Sequence, residues 1–218
     1  MVRAIAFDFD GVLIESEAIK TSAFTALFAA EEPAVARQIV AYHQAHGGVS
    51  RFEKFRTIYR DILRRPLDEA TYRKLCDRFA ALVVRRLVAA PWVEGAEEFL
   101  LAHRGRYRFF VVSGSPEAEL KDVIRCRRMD HFFDEVLGAP PHKAALLQGL
   151  LERQRLQPWE VIMVGDAQTD WLAARQFAVP FIWRPSPGTP AVEGFVGPTI
   201  ASLAHLARAL EAFGADSS

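Results

Sequence analysis

The sequence predicts an α/β protein: a parallel sheet with helices on both faces and a helical unit inserted after the first strand. Three observations carry this expectation. Short apolar runs that end in polar or glycine-containing turns alternate with helical stretches along most of the chain. Residues 15–90 break that rhythm and show helical periodicity alone. A chain of 218 residues, half of them apolar, is also long enough for one well-buried domain carrying a sizeable insertion.

Taken in order, residues 2–9 are apolar and rich in β-formers, as a strand buried on both faces should be. The run ends in Asp8-Phe9-Asp10-Gly11, and in a strand Asp8 and Asp10 would share a face because side chains alternate with period two. Residues 15–90 are expected to form a helical cap domain, with residues 1–14 and 91–218 forming the α/β core domain. Within the insertion, Phe52, Phe55, Tyr59 and Ile62 line one helix face, and Tyr72, Leu75, Phe79 and Leu82 another. Pro33, Gly47-Gly48 and Pro66 punctuate it. Further strands are expected at 108–112, 133–137, 161–164 and 180–183, separated by helices at 96–103, 117–125, 143–155 and 169–177. Residues 215–218 are expected to fray.

Composition narrows the function. Lys+Arg and Asp+Glu both total 27, so no overall charge bias points to nucleic acid or a membrane surface. Short basic spots such as Arg85-Arg86 read as solvated faces. Cys76 and Cys126 lack partners at metal-like spacing, which argues against a disulfide scaffold or a structural zinc site. His43 and His46, three apart, read as a solvent-facing pair. Acidic residues arrive too early for a signal peptide, and no apolar run reaches the roughly 20 residues that span a bilayer. A soluble, cytoplasmic protein is expected.

In an open parallel sheet, ligands bind outside the carboxyl ends of the strands. The reactive side chains fall there: Asp8 and Asp10 at the first strand, Ser113 at the second, Asp166 and then Asp170 at the fourth. Lys143 opens the helix after the third. Converging carboxylates repel one another and raise each other's pKa. A divalent cation removes that conflict, and an all-oxygen set of Asp8, Asp10, Asp166 and Asp170 suits Mg²⁺. The Ser113 hydroxyl and the backbone N–H groups of Gly114 and Ser115 make a phosphate site at a helix start, with Ser115 as cap and Pro116 as first helical residue. Lys143 would oppose the charge that develops in phosphoryl transfer, and lysine is scarce here, only five of the 27 basic residues. A carboxylate attacking phosphorus gives an aspartyl-phosphate; a second can protonate the leaving oxygen and later activate water.

The run Asp8-Phe9-Asp10-Gly11-Val12-Leu13-Ile14-Glu15-Ser16 resembles the first motif of the haloacid dehalogenase-like hydrolase superfamily. Val112-Ser113-Gly114 resembles its second motif, Lys143 its third, and Gly165-Asp166-Ala167-Gln168-Thr169-Asp170 its fourth, in the expected order. The resemblance implies a Rossmann-like core with a helical cap after the first motif. It implies Asp8 as nucleophile and Mg²⁺ ligand, and Asp10 as general acid/base with its backbone carbonyl on the metal. Ser113 and Gly114 would bind the phosphoryl group, and Lys143 would bridge it to Asp8. Asp166 would ligate Mg²⁺ directly, with Asp170 supporting it directly or through water. Aspartate at position 10 favours phosphate esters, because the carbon–halogen and carbon–phosphorus cleaving branches lack it.

Two positions depart from the pattern: Val12 stands where many members have Thr, and Ala178 where a Gly often ends the helix after the fourth motif. In the insertion, Gly47-Gly48-Val49-Ser50-Arg51 is similar to the cap segment of β-phosphoglucomutases, which presents an arginine to a sugar phosphate. Ser50 also reads as an N-cap, with Glu53 completing a capping box. Arg51 and Lys54 are therefore the candidate cap contacts to substrate. The expected activity is an Mg²⁺-dependent phosphatase acting on a small phosphorylated metabolite, phosphoglycolate-like or a sugar phosphate. A phosphomutase of the β-phosphoglucomutase type and a non-catalytic phosphate-binding module are the alternatives.

Overall fold

The computed structural model describes residues 1–213; the segment in which fraying is expected lies outside the described residues. Strands β1 (Ala4–Phe7), β2 (Arg108–Pro116), β3 (Glu135–Ala139), β4 (Val161–Gly165) and β5 (Phe181–Trp183) form one parallel sheet in the order β3-β2-β1-β4-β5. Period-two alternation divides their side chains between two apolar clusters. Ile5, Phe7, Phe109, Val111, Ile162 and Val164 join one face, and Ala4, Ala6, Phe110, Val112, Val161 and Met163 the other. Burial of both faces explains why β1 reads as an unbroken apolar run.

Helices α1 (Glu17–Leu27), α2 (Pro33–Ala45), α3 (Arg51–Thr57) and α4 (Glu69–Val88) fall between β1 and β2 in the chain. Around the sheet run α5 (Ala96–His103), α6 (Glu117–Cys126), α7 (Lys143–Gln154), α8 (Gln168–Gln176) and α9 (Leu206–Glu211). α7 covers the second face with Leu146, Leu147, Leu150 and Leu151, and α8 with Ala173 and Ala174. α5, α6 and α9 cover the opposite face through Phe99, Leu100, Leu120, Val123, Leu206 and Leu210. A fully buried Leu such as Leu150 contributes about 1.5–3 kcal/mol relative to exposure. The chain leaves and re-enters the sheet through paired segments: Glu15 N donates to Pro91 O at 3.0 Å, and Val93 N to Leu13 O at 3.0 Å.

Several expectations are corrected. β1 spans four residues and stops at Phe7, because Asp8 and Phe9 already belong to the turn that follows. On α4 the buried stripe is Leu75, Phe79, Val83 and Leu87, while Leu82 is exposed. Steps of four residues keep that stripe on one side, whereas Leu82 falls one position off it. On α3 and the π-helical turn Ile58–Leu63 that extends it, Phe55 and Ile58 are fully buried; Tyr59 and Ile62 are only partly so. Ser50 does cap α3, accepting from Glu53 N at 3.4 Å. Ser115, by contrast, caps nothing: it lies within β2, and Pro116 occupies the cap position of α6 without a side-chain bond. Ala178 adopts the left-handed φ of 55° that glycine usually supplies at such a helix end.

Candidate active site

The parallel register brings the strand ends together. Phe7 of β1 is level with Val111 of β2 and Val164 of β4, so Asp8, Ser113 and Asp166 emerge side by side. Asp8 N donates to Val164 O at 2.9 Å, which fixes the start of the turn. Gly11 completes it at φ 71°, where a Cβ would collide with the Asp166 carboxylate. Arg184, buried beyond β5, clamps the same turn by donating to Gly11 O and Glu15 Oε1, both at 2.6 Å. Lys143 lies four residues before Leu147, so the stripe that buries α7 also aims this ammonium at the strand ends. Asp170 sits in the first turn of α8, where its Oδ2 accepts from Ala167 N at 3.1 Å.

One ligand oxygen each from Asp8, Asp166 and Asp170 falls within a cluster 4.8 Å across, and all three residues are buried. Lys143 Nζ reaches Asp8 Oδ2 at 2.8 Å and Asp170 Oδ1 at 2.5 Å. One cation does not balance three carboxylates. Burial pushes the Asp8 carboxyl up to about 7; Lys143 opposes that rise, while Asp170 and Asp10 add to it. Asp166 is likewise held well above the usual carboxylate range, first by burial and then by Asp8 and Asp170. Lys143 moves the other way. Burial disfavours its charge, but Asp170 and Asp8 outweigh that and raise its pKa. A compact, all-oxygen, over-negative donor set of this kind fits a divalent cation such as Mg²⁺.

The Asp10 carboxylate turns away from that cluster. Its Oδ1 accepts from Ser16 Oγ at 2.6 Å, and its Oδ2 from Ser115 Oγ at 2.9 Å and Lys20 Nζ at 2.5 Å. Burial raises its pKa, yet Lys20 and the two hydroxyls outweigh burial and bring it below the ordinary value. Ser113 is buried beside this group, and its hydroxyl accepts from Ser115 N at 3.1 Å.

Between these strand ends and helices α1 to α4 lies a cavity of about 40 Å³. Arg51 and Lys54 both line it. Arg51 forms a two-pronged ion pair with Glu119 of α6. Lys54 Nζ bonds to His43 Nδ1 at 3.0 Å and His43 O at 3.1 Å. His43 is thus buried and stacked 4.1 Å from the Phe24 ring, against the solvent-facing expectation; only its neighbour His46 is exposed. The stripe of α2 that buries Ile39 carries His43 inward, because the two are four residues apart. Glu17, Lys20, His43 and Glu119 were not singled out by sequence reasoning as site residues, and Ser115 only for its backbone N–H, yet all line the cavity. The one available signal was lysine scarcity, since three of the five lysines lie at this site.

The sequence signature of the haloacid dehalogenase-like hydrolases matches residues 5–184. Phosphoglycolate phosphatase of Vibrio cholerae is 28% identical over 184 residues, covering 80% of each chain. Two solved structures share the fold at low identity. β-Phosphoglucomutase of Clostridium difficile has a TM-score of 0.78 and 14% identity, covering 99% of both chains. CbbY of Rhodobacter sphaeroides, an Asp-to-Asn variant solved with xylulose 1,5-bisphosphate, has a TM-score of 0.74 and 18% identity, covering 94% of this chain and 96% of its own. A signature spanning every strand end that carries a reactive side chain, on a sheet that gathers them at one edge, places this chain in the haloacid dehalogenase-like hydrolase family.

Proposed function

We propose that this enzyme, a phosphatase, hydrolyses a small phosphorylated metabolite, phosphoglycolate-like or a sugar phosphate, through a phosphoaspartate on Asp8. The observation that carries this reading is that Asp8, Asp10, Asp166 and Ser113 line one cavity, with Lys143 and Asp170 paired behind Asp8. Asp8, Asp166 and Asp170 would hold Mg²⁺, with the Asp10 backbone carbonyl as a further ligand. The cation supplies charge neutralisation that lets Asp8 stay ionised beside a phosphate dianion.

The chain's own groups then divide the work. An Asp8 oxygen attacks phosphorus, and the ester oxygen departs with a proton from Asp10, whose carboxylate, ionised in the free enzyme, takes that proton up from the phosphate monoanion of the bound substrate. Ser113 and the Gly114 N–H hold the phosphoryl oxygens, and Lys143 keeps Asp8 oriented and shields it from its acidic neighbours. The cap-side helices exclude bulk water during this step. In the second half Asp10, as a base, takes a proton from the water that cleaves the phosphoaspartate. Lys20, Ser16 and Ser115 stabilise the carboxylate form that this half requires.

The Arg51–Glu119 pair weighs against the mutase alternative. A mutase must hold a second phosphate away from the catalytic aspartate, and here the arginine in position to do so is neutralised by a carboxylate. Phosphate release from a panel of phosphate esters, with and without Mg²⁺, tests the reading. Metal-dependent release on a small ester is expected. Conversion of β-glucose 1-phosphate to glucose 6-phosphate without phosphate release would overturn it.

A further inference from the structure

Three buried cations at or beside the cavity have carboxylate partners, Arg51 with Glu119, Lys143 with Asp8 and Asp170, and Arg184 with Glu15, and the half-buried Lys20 pairs with Asp10. Lys54 has none among the described residues. It is 4% exposed, lines the cavity, and spends two hydrogen bonds on His43 alone. The charged groups that face it are Glu17, Lys20, Asp10 and Asp166, none in direct ion pairing with it. An unpaired buried ammonium is costly, and burial draws the Lys54 pKa down to about 7, so an anion bound beside it would restore its charge.

His43 supplies a second, independent sign. With Lys54 donating to Nδ1, the neutral imidazole carries its proton on Nε2. That nitrogen is fully buried and has no hydrogen-bond partner among the described residues. Burial, reinforced by Lys54 and Lys20, keeps the ring neutral by pushing its pKa down to about 2. The pair therefore holds unspent donors, the third Lys54 N–H and the His43 Nε2–H, and lacks an acceptor.

We propose that Lys54 and His43, rather than Arg51, receive an anionic group on the leaving portion of the substrate, and that this group is a carboxylate. This rests on the phosphatase reading and narrows it to phosphate esters of small hydroxy acids. One unpaired cation matches a single negative charge. A second phosphate dianion would also meet the Glu17 carboxylate, which lines the same cavity with no ion pair among the described residues.

The test compares kcat/KM on 2-phosphoglycolate and on 2-hydroxyethyl phosphate, which replaces the carboxylate with a neutral hydroxymethyl group. Wild type, Lys54→Met and Arg51→Met are measured with Mg²⁺, each checked for folding by circular dichroism. Wild type is expected to prefer the acid ester by on the order of 10- to 100-fold, the value of a charge-assisted contact. Lys54→Met should collapse that ratio towards one, whereas Arg51→Met should leave the ratio standing. A purely structural role for Lys54 would lower both rates together and keep the ratio, which would overturn the proposal. So would a wild-type enzyme without the preference, or a ratio erased by Arg51→Met instead. Absence of hydrolysis on every ester, p-nitrophenyl phosphate included, would instead refute the phosphatase reading beneath it.

Discussion

Replacing Lys143 with Met should destabilise the metal-free protein most at alkaline pH, and Mg²⁺ should offset much of the loss. Lys143 is buried against Asp8 at 2.8 Å and Asp170 at 2.5 Å, and removing one partner of such a pair costs about 3–5 kcal/mol. The strain is visible even with the lysine present. Raising Asp8 from 3.8 to about 7 corresponds to about 4 kcal/mol against its ionised form. The sign follows from proton binding. A carboxyl raised in the folded state binds more protons there than in the unfolded chain between pH 3.8 and about 7, so its contribution falls as pH rises through that window. Lys143, whose pKa is raised, contributes fully below its unfolded value of 10.5. The variant's deficit should therefore be complete at pH 8 and smaller at pH 5, where Asp8 and Asp166 accept protons. Urea unfolding in EDTA at the two pH values measures it, and thermal melts should show a Tm decrease of roughly 10 °C at pH 8. Saturation with Mg²⁺ at 100 times its Kd should return about 2.7 kcal/mol. Wild-type stability in EDTA at pH 8, or a deficit independent of pH, would refute the electrostatic account of the cluster.

His43→Gln should abolish part of the protein's acid sensitivity. The wild-type imidazole is held at about 2 when folded and titrates near 6.5 when unfolded, so stability is lost as pH falls below 6.5. Between pH 7.5 and 5 that loss is about 2 kcal/mol, and urea melts of the two proteins should differ by this amount in their pH dependence. Gly114→Ala should act on closure rather than on folding, because a Cβ there would strike Gly48 O in the loop between α2 and α3. Its kcat/KM should fall about 100-fold with Tm nearly unchanged, as steady-state kinetics and calorimetry would report. Asp10→Asn should lower kcat/KM, which reports the phosphorylation half, by about 10²–10⁴-fold on alkyl phosphates but far less on p-nitrophenyl phosphate, whose leaving oxygen needs no proton. Equal losses of kcat/KM on both esters would deny Asp10 the acid role.

What sequence reasoning reached and what it missed divide along a physical line. Asp8, Asp10, Ser113, Asp166 and Asp170 were legible because a parallel sheet delivers its strand ends to one edge, and these residues sit in the last part of a strand, in the turn beyond it or in the first turn of the helix that follows. Lys143 was legible as the first residue of the helix after β3. The cap side was less so. Lys20, His43 and Glu119 come from α1, α2 and α6, and no local pattern says that these faces meet over one cavity. His43 looked like half of an exposed pair because its partner by spacing, His46, is indeed exposed. Ser115 read as a helix cap because Ser-Pro is a strong helix-start signal, but β2 runs on through Pro116 and delivers the hydroxyl to Asp10. Arg51 was found as a cavity residue, while the Glu119 that neutralises it lies 68 residues away in the chain.

The central claim is that Asp8 carries the phosphoryl group. Rapid quenching during turnover of a small phosphate ester with Mg²⁺, followed by mass spectrometry of the peptide containing residue 8, tests it directly. Phosphate on Asp8 that appears and decays within one turnover, and is absent from an inactive Asp8→Asn variant, is the expected result. Turnover by Asp8→Asn within tenfold of wild type, or phosphate trapped on a different residue, would contradict the account.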